Sequence, residues 1–362
     1  ADENIYSLTE GWPLAIGSFK VLLENGVSLV DIPAVGNDAL YTYLFYECIS
    51  HLPSERVEFL KATACFESLD TRMLDAVLNK TNTRLILESL VAKNMFIIKT
   101  AGGQYRYHPL FREYLLADAD VSQKASLLHK ALLYYFEQKD YAKAAEYAIL
   151  SGDKAMLQRI ILASYRDYIK NGNFSELRAW FQALEDAPIA LSREMLVAKG
   201  AFLSSIGNFT AAKICLDTAI PLLEEDDWEL YVEAMVHKAR VLRNFISFEE
   251  SNKLLDELIA KLSNLADETG YFVVIEKLCN LCWNSQINEA CALAIKMIET
   301  CAQAGNVKVK AWFERYLSAI HFFAGRMKDS VYYYEKSLEL PETERHYLDT
   351  HSIGIYVAKA YQ

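Results

Sequence analysis

One pattern constrains this chain more than any other. From about Ser122 onward, a small turn followed by an aromatic or large apolar residue, often with Ala close behind, returns at intervals of roughly 33 to 40 residues. It stands at Asp140-Tyr141-Ala142-Lys143-Ala144, Gly172-Asn173-Phe174, Gly207-Asn208-Phe209-Thr210-Ala211-Ala212, Ser247-Phe248, Gln286-Ile287-Asn288-Glu289-Ala290 and Gly325-Arg326-Met327. Apolar residues between these marks run at helical spacing, so each mark opens the second helix of a pair. One such pair is too thin to bury its own apolar face and has to stack on its neighbours. The length, 362 residues, also exceeds what one core usually serves, which leaves a repeat array or several domains. Only 14 Gly and 7 Pro punctuate the chain, favouring long helices and short turns over a turn-rich β architecture.

The interval is that of tetratricopeptide-type repeats. Upstream the pattern differs in kind. Residues 9–24 carry apolar groups at helical spacing, with Pro13 near the helix start, and a second helix is expected around Leu40–Ser50. Pro53–Ala64, Thr71–Leu78 and Thr83–Lys93 read as short helices. Phe96–Lys99 and Gln104–Tyr107 flank Ala101-Gly102-Gly103, a β-hairpin signal, and Tyr107–Leu115 re-enters helix. Three helices closed by a two-stranded hairpin make a winged helix. The expected fold class is therefore mainly α: a winged-helix domain with a small β-hairpin, then a tetratricopeptide-like helical-repeat superhelix.

Charge narrows the partners. The net charge is −11 and no Lys/Arg block stands out, so this stretch is not expected to contact DNA itself. No apolar run reaches the roughly 18 to 20 residues of a membrane helix, and residues 1–20 lack the layout of a signal peptide. Seven scattered cysteines, an odd number, read as reduced thiols of a cytoplasmic protein. The chain begins at Ala1 in mid-pattern and stops at Gln362 inside a helical stretch, so both ends read as cut.

Four stretches, in order, carry a family resemblance. Thr9-Glu10-Gly11-Trp12-Pro13-Leu14-Ala15 resembles the Gly-x-Pro-Leu-Ala element that ends the nucleotide-binding module of signal-transduction ATPases. Tyr105-Arg106-Tyr107-His108-Pro109-Leu110-Phe111-Arg112-Glu113-Tyr114-Leu115 resembles the Tyr-x-His-x-Leu-Phe-Arg stretch closing the winged helix of the MalT-like, LuxR-type large transcriptional regulators. Leu128-His129-Lys130-Ala131, Tyr134-Tyr135-Phe136 and Ala144-Ala145-Glu146-Tyr147-Ala148, followed by Gly152-Asp153, resemble the first repeats of that group, and Leu177, Trp180 and Leu184 fit them too. The likeness covers residues 1 to about 220; beyond, only the general repeat persists.

The resemblance implies three parts: residues 1–50 as the helical lid end of a nucleotide-binding module, 51–120 as the winged helix, and 121–362 as tetratricopeptide-like repeats. It implies that Pro13 packs on an adenine ring and that His108 donates to a phosphate of bound ADP, an imidazole N–H being able to do so without a fixed charge. On the residues alone, Pro13 reads as an ordinary first-turn proline and His108 as a cap for the following helix. In the family, ADP holds the protein closed and monomeric, whereas inducer and ATP open it toward a self-associated form that binds promoters. The phosphate-binding module lies upstream and the DNA-binding domain downstream, in cis. Neither Gly-x-x-x-x-Gly-Lys-Ser/Thr nor a Walker B strand occurs here, and no helix-turn-helix follows the repeats. The stretch is thus expected to be no enzyme and to hold no cofactor of its own, ATP or ADP belonging to a full-length protein.

Other constellations point elsewhere. Cys279-x-x-Cys282, with Cys291 and Cys301 beyond, has zinc-like spacing, but Leu281, Trp283, Ala290, Leu293 and Ile295 around it sit at core spacing, so buried thiols are expected and no metal. Glu224-Glu225-Asp226-Asp227 before Trp228 reads as a solvated helix start. With Phe248, Ile287 and Met327 aligned, the inward-looking positions of the preceding helices are Arg240, Arg243, Asn244, Trp283, Arg315 and Phe322. Guanidiniums beside aromatics suit an anionic or sugar-like inducer or a peptide carboxylate; the same residues are also what ordinary inter-repeat packing would use. The functional expectation is an inducer-sensing, regulatory part of an ATP-dependent transcriptional activator. The alternative is a free-standing helical-repeat adaptor that grips peptides or proteins.

Overall fold

Helices in this chain start and stop for reasons written in one or two residues at each end. The computed structural model describes residues 49, 52–93, 96–100, 103–117, 120–185, 191–223 and 227–340. Within them lie sixteen α-helices and one two-stranded antiparallel sheet. The first expected part, residues 1–50, lies outside the described residues apart from Ile49. Backbone contacts divide the chain after Ile160 into two compact units.

The first unit opens with α1 (Ser54–Thr63), α2 (Thr71–Leu78) and α3 (Thr83–Ala92). Asp70 caps α2 by accepting the N–H groups of Arg72 and Met73, and Asn79 ends it in the left-handed conformation at φ 51°. Strands β1 (Ile97–Lys99) and β2 (Tyr105–Tyr107) pair in the register Ile97↔Tyr107, Ile98↔Arg106 and Lys99↔Tyr105. Tyr105 and Tyr107 turn inward while Arg106 lies between them on the outer face, the alternation of a half-buried strand. Next comes α4 (Pro109–Ala117), whose Phe111 and Leu115 are fully buried with Leu60, Phe66, Leu69, Met73 and Leu74. Arg112 ties α4 to the end of α1, its Nε donating to the Ala64 carbonyl at 2.9 Å. Helices α5 (Val121–Glu137) and α6 (Tyr141–Ser151) complete this unit, and α7 (Lys154–Lys170) begins in it.

The second unit holds the rest of α7, then α8 (Phe174–Glu185), α9 (Arg193–Ser205), α10 (Phe209–Ala219), a short 3-10 turn (Ile220–Leu222), α11 (Trp228–Phe245), α12 (Phe248–Lys261), α13 (Glu268–Trp283), α14 (Ile287–Gln303), α15 (Val307–Phe323) and α16 (Met327–Ser337). The six residues that mark the sequence repeat, Tyr141, Phe174, Phe209, Phe248, Ile287 and Met327, are each the first residue of a helix. One corner geometry recurs. Two residues before the new helix stands a left-handed residue: Lys139, Gly152, Gly172, Gly207, Ser285, Gly305 or Gly325. The next residue sends its N–H back five places to a carbonyl of the old helix, as Asn208 does to Leu203 at 2.9 Å and Asn306 to Cys301 at 3.0 Å. At Asp140, Asp153, Asn208 and Asn306 the side chain also caps the new helix, Asn208 accepting from Ala211 and Asp140 from Lys143. So each of these residues bonds a carbonyl of the old helix through its N–H and an amide of the new one through its side chain. Ile246, at φ −123°, breaks the left-handed rule while Ser247 keeps the back-bond to Leu242.

Between the corners, small residues let helices close up. A Cβ on Gly200 of α9 would stand 2.7 Å from the Leu216 side chain of α10, closer than atoms tolerate. Apolar clusters form where α11, α12 and α13 meet, around Val232, Ala239, Leu255, Leu258 and Val273, and where α13, α14 and α15 meet, around Leu278, Ala294, Met297, Val309, Phe313 and Leu317.

Candidate functional site

Helix α11 carries one polar face through this apolar setting. Glu233, His237, Arg240 and Asn244 recur at intervals of four, three and four, which is one side of a helix. Glu233 accepts from the Tyr165 hydroxyl at 2.8 Å and from Arg166 at 2.6 Å, both on α7. His237 Nδ1 lies 2.8 Å from the Ser204 hydroxyl of α9. Because that hydroxyl also donates to the Ala201 carbonyl at 2.9 Å, the neutral imidazole has to donate through Nδ1. Burial, with the charges of Arg240 and Arg166 adding to it, holds His237 well below the usual histidine range.

Glu276 on α13 anchors the next step. It is 2% exposed and takes Arg240 at 2.9 Å and Arg243 at 2.6 Å. Burial opposes ionisation of this carboxyl most strongly, but the two guanidiniums outweigh it and keep the group below the ordinary carboxylate range. Arg243 also donates to Asn280 Oδ1 at 2.7 Å, and the amide of Asn280 donates onward to Ser251 and Asn252 on α12, each at 2.8 Å. Ser251 closes the path on the Ala239 carbonyl at 2.6 Å. Three helices are thereby linked by a buried polar seam. Two arginines and one glutamate leave it one positive charge in excess.

The sequence-derived groove residues separate into two groups. Arg240, Arg243, Asn244 and Trp283 come together: Asn244 donates to the Arg240 carbonyl at 2.8 Å, and the Arg243 guanidinium lies 5.6 Å over the Trp283 ring. Arg315 and Phe322 belong to α15. The Arg315 guanidinium sits 4.1 Å over Tyr334 of α16, and Phe322 meets Phe323 edge-on at 5.6 Å. Trp283 and Ile295, expected at core spacing around the cysteines, are instead 69% and 38% exposed. Beside Trp283, the Asn284–Gln286 corner and α12 enclose a depression of about 610 Å³ lined by Glu249, Asn252, Lys253, Asp256 and Glu257.

Sequence reasoning missed Glu276 and Asn280, though a signal existed: a carboxylate and an amide one turn apart within the apolar run Tyr271–Trp283. It also missed Glu233, His237 and Ser204, which no local pattern marks. The cysteines are thiols: Cys279 lies 2.8 Å from the Tyr316 hydroxyl, Cys291 and Cys301 are buried, and burial pushes Cys282 up to about 12. Among the described residues no three His, Cys, Asp or Glu are grouped to hold a metal ion, and no helix is long and apolar enough to cross a membrane.

In the first unit, His108 links β2 to α4. Its N–H donates to the Phe96 carbonyl at 2.8 Å, its own carbonyl accepts from Arg112 at 2.9 Å, and the residue is 4% exposed. Pro13 lies outside the described residues. The α1–α4 and β1–β2 arrangement coincides with residues 45–127, which match the family model of the MalT winged helix domain. That stretch is similar to the MalT winged helix. The chain is 25% identical over 188 residues to the HTH-type transcriptional regulator MalT of Cronobacter sakazakii, an alignment covering 49% of this chain and 20% of that protein. The regulator of the same name from Vibrio parahaemolyticus is 23% identical over 211 residues, 56% of this chain and 23% of the relative. The chain thus spans about a fifth of the length of the curated relatives it matches. A solved structure shares the fold with a TM-score of 0.61 at 17% identity, covering 99% of this chain and 53% of the other. That structure is a Signal Transduction ATPase with Numerous Domains (STAND) protein with a tetratricopeptide repeat sensor, from Pyrococcus horikoshii. The fold is therefore mainly α, a winged helix with a small hairpin followed by tetratricopeptide-like helical repeats.

Proposed function

We propose that the chain is the regulatory and sensing portion of an ATP-dependent bacterial transcriptional activator of the cytoplasm, and that this portion is not itself an enzyme. The winged helix would restrain an upstream nucleotide module through Pro13 and His108 while ADP is bound. The repeat helices would receive an inducer or a peptide at Arg240, Arg243, Asn244 and Trp283, with Arg315 and Phe322 on the following pair. Inducer and ATP would favour an open, self-associating form able to bring a downstream DNA-binding domain to promoters. The observation that supports the reading is the succession, in one chain, of a MalT-type winged helix and helical repeats.

The chemistry of the seam suits such a switch. An anionic or sugar-like ligand, or a peptide carboxylate, gains from the excess positive charge and from the exposed indole, and it competes with Glu276 for the arginines. Energetically the ligand has to favour the open arrangement over the closed one; equal affinity for both shifts nothing. The decisive test concerns His108. Replacing it with Ala in the full-length protein removes a hydrogen bond to a charged phosphate, expected to weaken ADP about 10- to 100-fold and to raise uninduced activity. Unchanged ADP affinity in a variant that keeps its thermal stability would sink the role given to this residue.

A further inference from the structure

The winged helix does not end where its family model ends. Residue 127 falls in the middle of α5, which runs unbroken over Val121–Glu137 and carries Tyr135 back onto the winged helix. There it meets Asp70. One oxygen of that carboxylate is occupied in capping α2, accepting the Arg72 N–H at 2.9 Å and the Met73 N–H at 3.4 Å. The other accepts the Tyr135 hydroxyl at 3.3 Å and faces the Lys143 ammonium of α6 at 3.9 Å. Lys143 in turn lies 4.7 Å over the Tyr135 ring.

Under this polar contact runs an aromatic stack. Tyr135 and Tyr147 are parallel within 5°, their centroids 5.6 Å apart, and Tyr147 meets Phe66 edge-on at 6.0 Å. Phe66 is fully buried, and the two tyrosines are 4% and 5% exposed. The stack therefore joins the end of α1, the cap of α2 and both helices of the first repeat pair in one dry contact. Burial, reinforced by the charge of Asp70, holds the Tyr135 phenol well above its ordinary range, so it remains a donor to Asp70 throughout the physiological interval.

We propose that α5 and α6 are a structural part of the winged-helix module, and that the Phe66–Tyr147–Tyr135–Asp70–Lys143 contact couples this module to the repeats. The winged helix and the first repeat pair open and close as one cooperative unit. Within the first unit, a displacement of α5 and α6 then reaches the winged helix through this packed contact. This goes beyond the functional reading above and stands whether or not nucleotide or inducer is bound.

The test is amide hydrogen exchange on the whole chain, comparing wild type with Tyr135→Ala and Tyr135→Phe. Truncating a buried aromatic to Ala is expected to cost protection by about 100-fold or more, and by the same factor, in α2, in β1–β2 and in α5–α6. Removing only the hydroxyl should lower the same amides by about 2- to 10-fold. Helices α13–α15 should keep wild-type protection in both. The proposal is overturned if α5–α6 lose protection while α2 and the hairpin exchange as in wild type. Should Tyr135→Ala fail to fold, Tyr135→Phe alone decides between these outcomes.

Discussion

Both units of this chain use a carboxylate to hold helices together, and they use it in opposite ways. In the first, Asp70 sits at a rim, its side chain 20% exposed, and an aromatic stack beneath it supplies the burial. In the second, Glu276 lies in the interior with two arginines, and the apolar contacts are arranged around the charge. A rim carboxylate adds orientation to a contact that apolar area already stabilises. An interior carboxylate is different: its desolvation is offset by both guanidiniums, one of them also held by Asn280, so each partner depends on the others.

The comparison is broken most sharply at Glu276. Glu276→Ala leaves Arg240 and Arg243 without their counter-charge and is expected to cost about 3–5 kcal/mol. Denaturant unfolding should show the loss in the second unit, with the first unit's amides unaffected. A cost below 1 kcal/mol would mean the arginines simply turn to water. Asp70→Ala should be milder, about 1–2 kcal/mol, since it removes a helix cap and a partly exposed pairing but leaves the stack. Its loss should fall on the first unit.

The most gradual effect is a pH dependence, and its sign follows from His237. Its folded pKa lies below that of the unfolded chain, because burial disfavours the charged ring and the charges of Arg240 and Arg166 add to that. Stability from this group is thus complete above about pH 6.5 and is lost as pH falls beneath it, by at most ~1.4 kcal/mol per pH unit. Stability measured from pH 7.5 to 5 should decline in the wild type and flatten in His237→Gln. Equal slopes would assign the decline to other groups.

How much of this could be read from letters depended on how local the cause was. The hairpin around Gly103 and the first residues of α6, α8, α10, α12, α14 and α16 followed from neighbouring residues alone, because turn and cap chemistry acts within about five positions. The pairing of Arg240 and Arg243 with Glu276 spans more than thirty positions and rests on the exact rotation of α11 against α13, which no local pattern sets. Trp283 shows the same limit from the other side. Its spacing resembled that of a core residue, yet it projects from the last turn of α13 into solvent beside Arg243. The partners of Arg240 and Arg243 came only from the packed helices.

The recurring corner has a consequence for how such an array can grow. The second helices begin at Tyr141, Phe174, Phe209, Phe248, Ile287 and Met327, so successive intervals are 33, 35, 39, 39 and 40 residues. The longest exceeds the shortest by seven residues, about two turns of helix at 3.6 residues each. Extra length enters both helices and connections: α8 and α9 run 12 and 13 residues and are joined through 186–192, whereas α14 and α15 run 17 residues each and are joined through 304–306. Where a helix does lengthen, whole turns bring the apolar stripe back to the same azimuth. Insertions of three or four residues in a helix should therefore be absorbed with the stack in register. Single-residue insertions would rotate every following side chain by about 100°, so a helix in such an array tolerates growth by whole turns, while a connection such as 186–192 or 262–267 tolerates it residue by residue.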